Sequence, residues 1–89
     1  MRIVITVLGR DKVGIVARVA TTCAEEKINI VDINQNIMEG FFNMVLLADM
    51  SDDGISFKAA QEKFARLGEE MGLEIRLQSE EIFKEMHRV

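Results

Sequence analysis

The sequence predicts an α+β fold: one domain in the order β-α-β-β-α-β, followed by a short helix. Three observations predict it. The chain has 89 residues, enough for a single domain, and one of this size buries only about 60–65% of the surface its unfolded form exposes. The apolar residues switch repeatedly between strand-like alternation and helical spacing, and each switch marks an element boundary. Gly9, Gly14, Gly40, Gly54 and Gly72 all fall at or beside those switches.

Residues 2–8 carry the β-branched run Ile3, Val4, Ile5, Thr6 and Val7 and read as a strand, which Gly9-Arg10-Asp11-Lys12 breaks. From Val13 the spacing is helical. Val13, Val16, Ala17, Ala20, Cys23, Ala24 and Ile28 share one face, with Arg18, Glu25, Glu26 and Lys27 mostly off it. Asp11 stands where an N-cap carboxylate would accept the free amides of the first turn. Residues 30–39 alternate Val31, Ile33 and Ile37 with Asp32, Asn34 and Asn36, as a half-exposed strand does. Glu39-Gly40 turns the chain into residues 41–50, closing a hairpin. After Asp52-Asp53-Gly54, Ser56 caps a second helix with the stripe Phe57, Ala60, Phe64, Leu67 and Met71, and Gly72 stops it. Leu73, Ile75 and Leu77 alternate with Glu74, Arg76 and Gln78 in a fourth strand, and Ile82, Phe83 and Met86 give residues 80–89 a helical period.

The simplest closed packing of this order is a ferredoxin-like sandwich, four antiparallel strands with both helices on one face. Residues 1–79 are expected to form that domain, and 80–89 a helical tail packing on it or on a partner subunit. Ile3/Ile5/Val7, Val31/Ile33/Ile37, Phe42/Met44/Leu46/Ala48 and Leu73/Ile75/Leu77 are phased to face the helices. Val4, Leu8, Val45 and Leu47 then point the other way and form an apolar patch at the sheet centre. At about 25 cal/mol per Å² of apolar surface, a wet patch is costly for a small domain. Its cover is either the chain's own tail or the same surface of a second copy, and a homo-oligomer, a dimer first of all, is expected.

Composition narrows the function. A net charge of −4 argues against general nucleic-acid binding. The apolar runs are too short to span a membrane, and residues 1–11 lack the apolar core of a secretory signal. One cysteine makes no internal disulfide, so the cytoplasm is the expected compartment.

The first strand-to-helix junction, Gly9-Arg10-Asp11-Lys12-Val13-Gly14-Ile15-Val16, is the most informative segment. A helix N-terminus presents unpaired amides and the positive end of its dipole, which suits a carboxylate or other small anion. Gly14, without a Cβ, lets another backbone or a ligand approach the first turn. Asp11 has two readings, a helix cap or an acceptor for a ligand amine. Spacing alone is better served by a purely structural turn, in which Gly9 turns the chain, Asp11 caps and Gly14 relieves crowding.

This junction, followed by Asn29-Ile30-Val31-Asp32-Ile33, resembles the ACT domain, a small-molecule-binding regulatory module, over residues 1–79. The tail Ile82-Phe83-Lys84-Glu85-Met86-His87-Arg88 is similar to the ending of small stand-alone bacterial ACT-domain proteins. The resemblance implies paired domains binding an amino acid or related effector between the loop after one first strand and the start of a neighbouring second strand. It places Gly9, Arg10, Asp11, Lys12, Val13, Gly14 and Ile15 on the loop side, with Asp11, Gly14 and Ile15 nearest the ligand, and Asn29 and Ile30 on the strand side. Some amino-acid-binding ACT domains have a His two residues before the position of Asp11; here it is Gly9. Serine-type recognition therefore does not carry over.

Other constellations are weaker. Asp49-Met50-Ser51-Asp52-Asp53-Gly54 opens like a calcium loop, but Ala60 stands where the bidentate Glu belongs. Cys23 lies on an apolar stripe, where a buried thiol is inert. His87, the single His, is structural or solvent-exposed, with positioning of the tail or contact with a partner as its other roles; Gln35, polar in the inward phase, satisfies an edge or lines an interface pocket. The charges on the second helix read as a solvated face.

Three other functions of this topology fit less well. An acylphosphatase-like enzyme would use Arg10 and Asn43, but Asp11 repels phosphate and that loop motif is missing. A metallochaperone needs paired cysteines in the first loop. RNA recognition needs aromatics on the central strands, and only Phe41 and Phe42 lie there, at one end. Without a nucleophile and base, a metal cage or a cofactor fingerprint, the chain reads as a non-enzyme with no cofactor. It is either a metabolite sensor that acts on a regulated protein or a dimerisation module without a ligand.

Overall fold

The computed structural model describes residues 1–86, so His87 lies outside the described residues. The elements are β1 (Arg2–Arg10), α1 (Ile15–Glu25), β2 (Ile28–Met38), β3 (Phe41–Met50), α2 (Phe57–Met71), β4 (Glu74–Ser79) and α3 (Glu80–Met86). The strands form one sheet in the order β2-β3-β1-β4, with every neighbouring pair antiparallel. This is the expected ferredoxin-like sandwich.

One face of the sheet builds the core. Ile3, Ile5 and Val7 of β1, Phe42, Met44, Leu46 and Ala48 of β3, and Ile75 and Leu77 of β4 are buried there, with Leu73 just before β4. α2 closes it with Ala60, Phe64, Leu67 and Met71, the expected stripe; Ser56 Oγ accepts the Ala59 amide, and Gly72 ends the helix at φ +69°. Glu39 and Gly40 both have positive φ, 51° and 83°. That is the backbone a two-residue hairpin turn with the strands' own twist requires.

α1 departs from the expected stripe. Its buried residues are Ile15, Val19, Thr22 and Cys23, while Val16, Ala17 and Ala24 are exposed and Ile28 already belongs to β2. Cys23 of the expected stripe is buried and Ala20 half-buried, but the buried face is rotated toward Ile15 and Val19 and leaves the other small apolar residues outside. β2 departs too. Register shifts between Ile30 and Asp32, leaving Val31 as an extra, exposed residue. Ile30, opposite Ala48, therefore shares the helix side with Ile33 and Ile37, and Val31 does not. Ile33 and Ile37 remain exposed on this edge strand.

The reverse face is half covered. α3 packs on β1 and β4, and the Gln78 side chain donates to Met86 Sδ at 3.3 Å. Val4, on that face, is 4% exposed; Leu8, farther along the same strand, is 48% exposed. The tail thus covers one end of the apolar patch and not the other.

Candidate functional site

β1 runs two residues farther than the sequence suggests, so Gly9 and Arg10 are paired with Phe42 and Phe41. Alternation sends Arg10 to the face away from α1, where its guanidinium stands 5.5 Å from the Phe41 ring centroid. Gly9 faces inward beneath Leu73. The loop proper is residues 11–14, held at two points: Asp11 N donates to Gly40 O at 2.8 Å, and Lys12 Nζ donates to Met71 O at the end of α2. Val13 is fully exposed, whereas the Ile15 side chain belongs to the core.

Asp11 does not cap α1. The N-cap is Gly14, at φ +90° and ψ 4°, and no side chain caps the helix. Three residues, Lys12, Val13 and Gly14, separate Asp11 from the first helical residue, which puts its carboxylate outside the capping position. Gly14 is required for its left-handed backbone, a conformation β-carbon-bearing residues avoid; the space beside it is empty within 4 Å. An uncapped N-terminus retains unsatisfied amides and the positive dipole end.

A pocket of about 350 Å³ opens there. Gly14, Val16 and Ala17 form one wall, Gln35 and Ile37 of β2 the opposite one, Phe42 closes the back, and Asp11 and Lys12 contribute polar groups. An anionic group fits the helix end and an amine fits Asp11, with an apolar surface between them. Gln35 lines this pocket. Val16, Ala17, Ile37 and Phe42 were not expected as site residues; the signal that could have found them is their phase beside Gln35 and Gly14. Asn29 and Ile30 are not brought to it within one chain. They pair with Asp49 and Ala48, at the end of the sheet opposite the Gly40 turn.

Elsewhere several charges are paired. A second hollow between α1 and α2 is bordered by Arg18–Glu70 (3.0 Å) and Lys63–Glu26 (3.4 Å) ion pairs, which occupy two of its cationic side chains. In the calcium-like loop, Asp49 binds Arg2 at 2.6 Å and Asp53 binds Ser51 and Lys27, so these two carboxylates face protein partners. Burial pushes the Cys23 thiol up to about 11.

Over residues 1–78 the sequence matches the family model of the ACT domain. The chain belongs to the ACT domain family. This ACT domain is 45% identical over 89 residues to a UPF0237 protein of Clostridium acetobutylicum, covering 100% of both chains. Its fold superposes on an ACT domain protein from Streptococcus pneumoniae with a TM-score of 0.82 and 37% identity, over 94% of each chain. It also superposes on a formyltetrahydrofolate deformylase from Pseudomonas putida KT2440 with a TM-score of 0.79 and 16% identity, over 89% of this chain and 29% of that one. There the likeness is one of fold, to one segment of a longer chain. No helix among the described residues is long and apolar enough to cross a membrane.

Proposed function

We propose that this ACT domain is a regulatory module that binds a small zwitterion, an amino acid or related metabolite, as a homodimer. The observation that carries the reading is the uncapped first turn of α1 opening on the pocket of Gln35 and Ile37. The helix end receives the carboxylate, Asp11 the amine, and Lys12 and Gln35 complete the polar contacts. Gly9, Arg10 and Val13 shape the loop, and Ile15 anchors it in the core.

The dimer is supported by β2. It is an edge strand with Val31, Ile33, Ile37 and Met38 exposed, and the flank of α1 beside it exposes Val16 and Ala17. An edge of this kind invites another strand. Antiparallel pairing with the β2 of a second copy turns that strand end for end. The partner's Asn29 and Ile30 then approach the pocket that they cannot reach in their own chain. Effector binding between subunits would change the surface offered to a regulated protein.

A thermal-shift screen of the twenty amino acids and common metabolites tests the reading. Ligand at about 100 times its Kd adds about 2.7 kcal/mol of stability. The expected hit disappears in Gly14→Val, which cannot hold the left-handed cap. A screen without hits overturns sensing and leaves dimerisation as the module's role.

A further inference from the structure

The Lys12 ammonium is already engaged. Lys12 lines the pocket beside Gly14, yet its Nζ donates to Met71 O at the end of α2. In the binding mode proposed above, the same group meets a ligand. A carboxylate is the stronger acceptor for an ammonium, because both partners are then charged.

The corner between α2 and β4 is built around this contact. Gly72 ends the helix at φ +69°, and a β-carbon there would lie 3.5 Å from Lys12 Nζ. The Gly72 and Leu73 amides close the helix end on Glu69 O (3.3 Å) and Gly68 O (2.8 Å). Met71 O, beyond those bonds, takes Lys12. Two further contacts seat the site on the same corner. Arg18, whose amide bonds Gly14 O at 2.9 Å, pairs with Glu70 at 3.0 Å. Leu73 fills the space inside Gly9. Residues 70–73 therefore touch the end of β1, the loop and the first turn of α1. Of the three contacts, the one from Lys12 joins the corner to a flexible side chain of the pocket; Gly9 has no side chain, and Arg18 lines the other hollow.

We propose that residues 70–73 report occupancy of the pocket, with Lys12 as the movable link: a bound carboxylate draws its ammonium off Met71 O and loosens the last turn of α2. The inference rests on the metabolite-binding reading above and adds where binding is felt. A four-carbon stem with three rotatable donors suits such a link. A cation at a helix end is worth little, so a modest pull suffices. The Arg18–Glu70 pair and Leu73 stay in place, which confines the change to the helix end. β2, the far wall of the pocket, and β4, which follows the corner, are the opposite edges of the sheet. Occupancy at one edge is thus presented at the other.

Amide exchange of the full chain, with and without the amino acid or metabolite that gives the largest thermal shift, tests this. Binding to the folded state slows exchange generally, so the expected sign at the corner is the opposite one. The Gly72 and Leu73 amides exchange about two- to five-fold faster with the compound bound, and the core strands no faster. In Lys12→Met the link is already gone, so the compound leaves exchange at 72 and 73 unchanged. Because Lys12 trades one acceptor for another, Lys12→Met weakens binding by less than about ten-fold. A screen without hits overturns sensing and this inference together. Binding that leaves Gly72 and Leu73 unchanged or slows them, that accelerates them in Lys12→Met as well, or that disappears in Lys12→Met overturns the link and leaves sensing standing.

Discussion

Leu73 occupies the space a side chain at Gly9 would need. A β-carbon on Gly9 would lie 2.6 Å from Leu73 Cδ2 and 3.4 Å from its Cα. The place where some ACT domains carry a His is thus filled by an apolar side chain of this same chain, which removes one polar contact from the pocket's neighbourhood. Gly9→Ala should destabilise the fold by about 1–3 kcal/mol through overpacking. Leu73→Ala should cost about 2–5 kcal/mol. The double variant should cost less than the sum, because each change makes room for the other. Urea unfolding of the four proteins measures this, and strict additivity would count against the contact.

Lys12 links the candidate site to the far end of α2. Its ammonium donates to Met71 O, one of the carbonyls a helix C-terminus leaves without an internal partner, where a cation also favours the dipole. Lys12→Met should cost about 0.5–1 kcal/mol. Amide exchange should accelerate at residues 71–73 and in loop residues 11–14, with the core strands unaffected. Lys12→Arg should restore most of the protection. Unchanged exchange at 71–73 in Lys12→Met would mean the contact does not hold the loop.

What the sequence revealed follows from which signals are local. The hairpin was legible because Glu39-Gly40 is a turn dipeptide, and α2 because Ser56, its stripe and Gly72 all agree. Two features of the site were not. The bulge at Val31 breaks no alternation, since Val31 and Ile33 are both apolar, yet it makes Ile30 rather than Val31 the inward residue. α1 carries two overlapping apolar faces that share Cys23, and the spacing of the small residues does not distinguish the buried one, which runs through Ile15 and Val19. The Gly14 loop was visible as a motif, but the cap passed from Asp11 to Gly14 because a left-handed glycine starts the helix two residues past the loop's polar run.

Acid sensitivity should be slight and should come from the surface. The hydrogen bond from Arg2 holds the Asp49 carboxyl below its usual range, and hydrogen bonds from Ser51 and then Lys27 do the same for Asp53. A depressed folded-state pKa means stability that is present above the ordinary carboxylate value and lost as pH falls through the folded one. Both groups are exposed, so the contribution is small. Unfolding curves from neutral pH to about pH 2 should show Asp49→Asn less stable than the parent near neutrality and equal to it at the acid end. A gap that persists in acid would assign the loss to packing.

Cys23 should be silent until the fold opens. The side chain is buried against the core and its pKa is raised by burial to about 11, so almost no thiolate exists at neutral pH. A thiol reagent should label the native protein at a rate set by opening, and at once in denaturant. Rapid labelling of the native state would show that α1 lifts from the sheet.

The tail makes the last test. α3 contributes no buried residue of its own, yet Val4 beneath it is almost fully covered. Seven residues are too few to stay helical alone, so the sheet must hold α3 as much as α3 shields the sheet. Ending the chain after Ser79 should expose Val4 and cost about 1–3 kcal/mol. The loss should be largely absent when Val4 is first replaced by Thr, which tolerates water on that face. Urea unfolding of both lengths in both backgrounds reads the coupling. Equal losses in the two backgrounds would show that the tail stabilises the domain through contacts other than its cover of Val4.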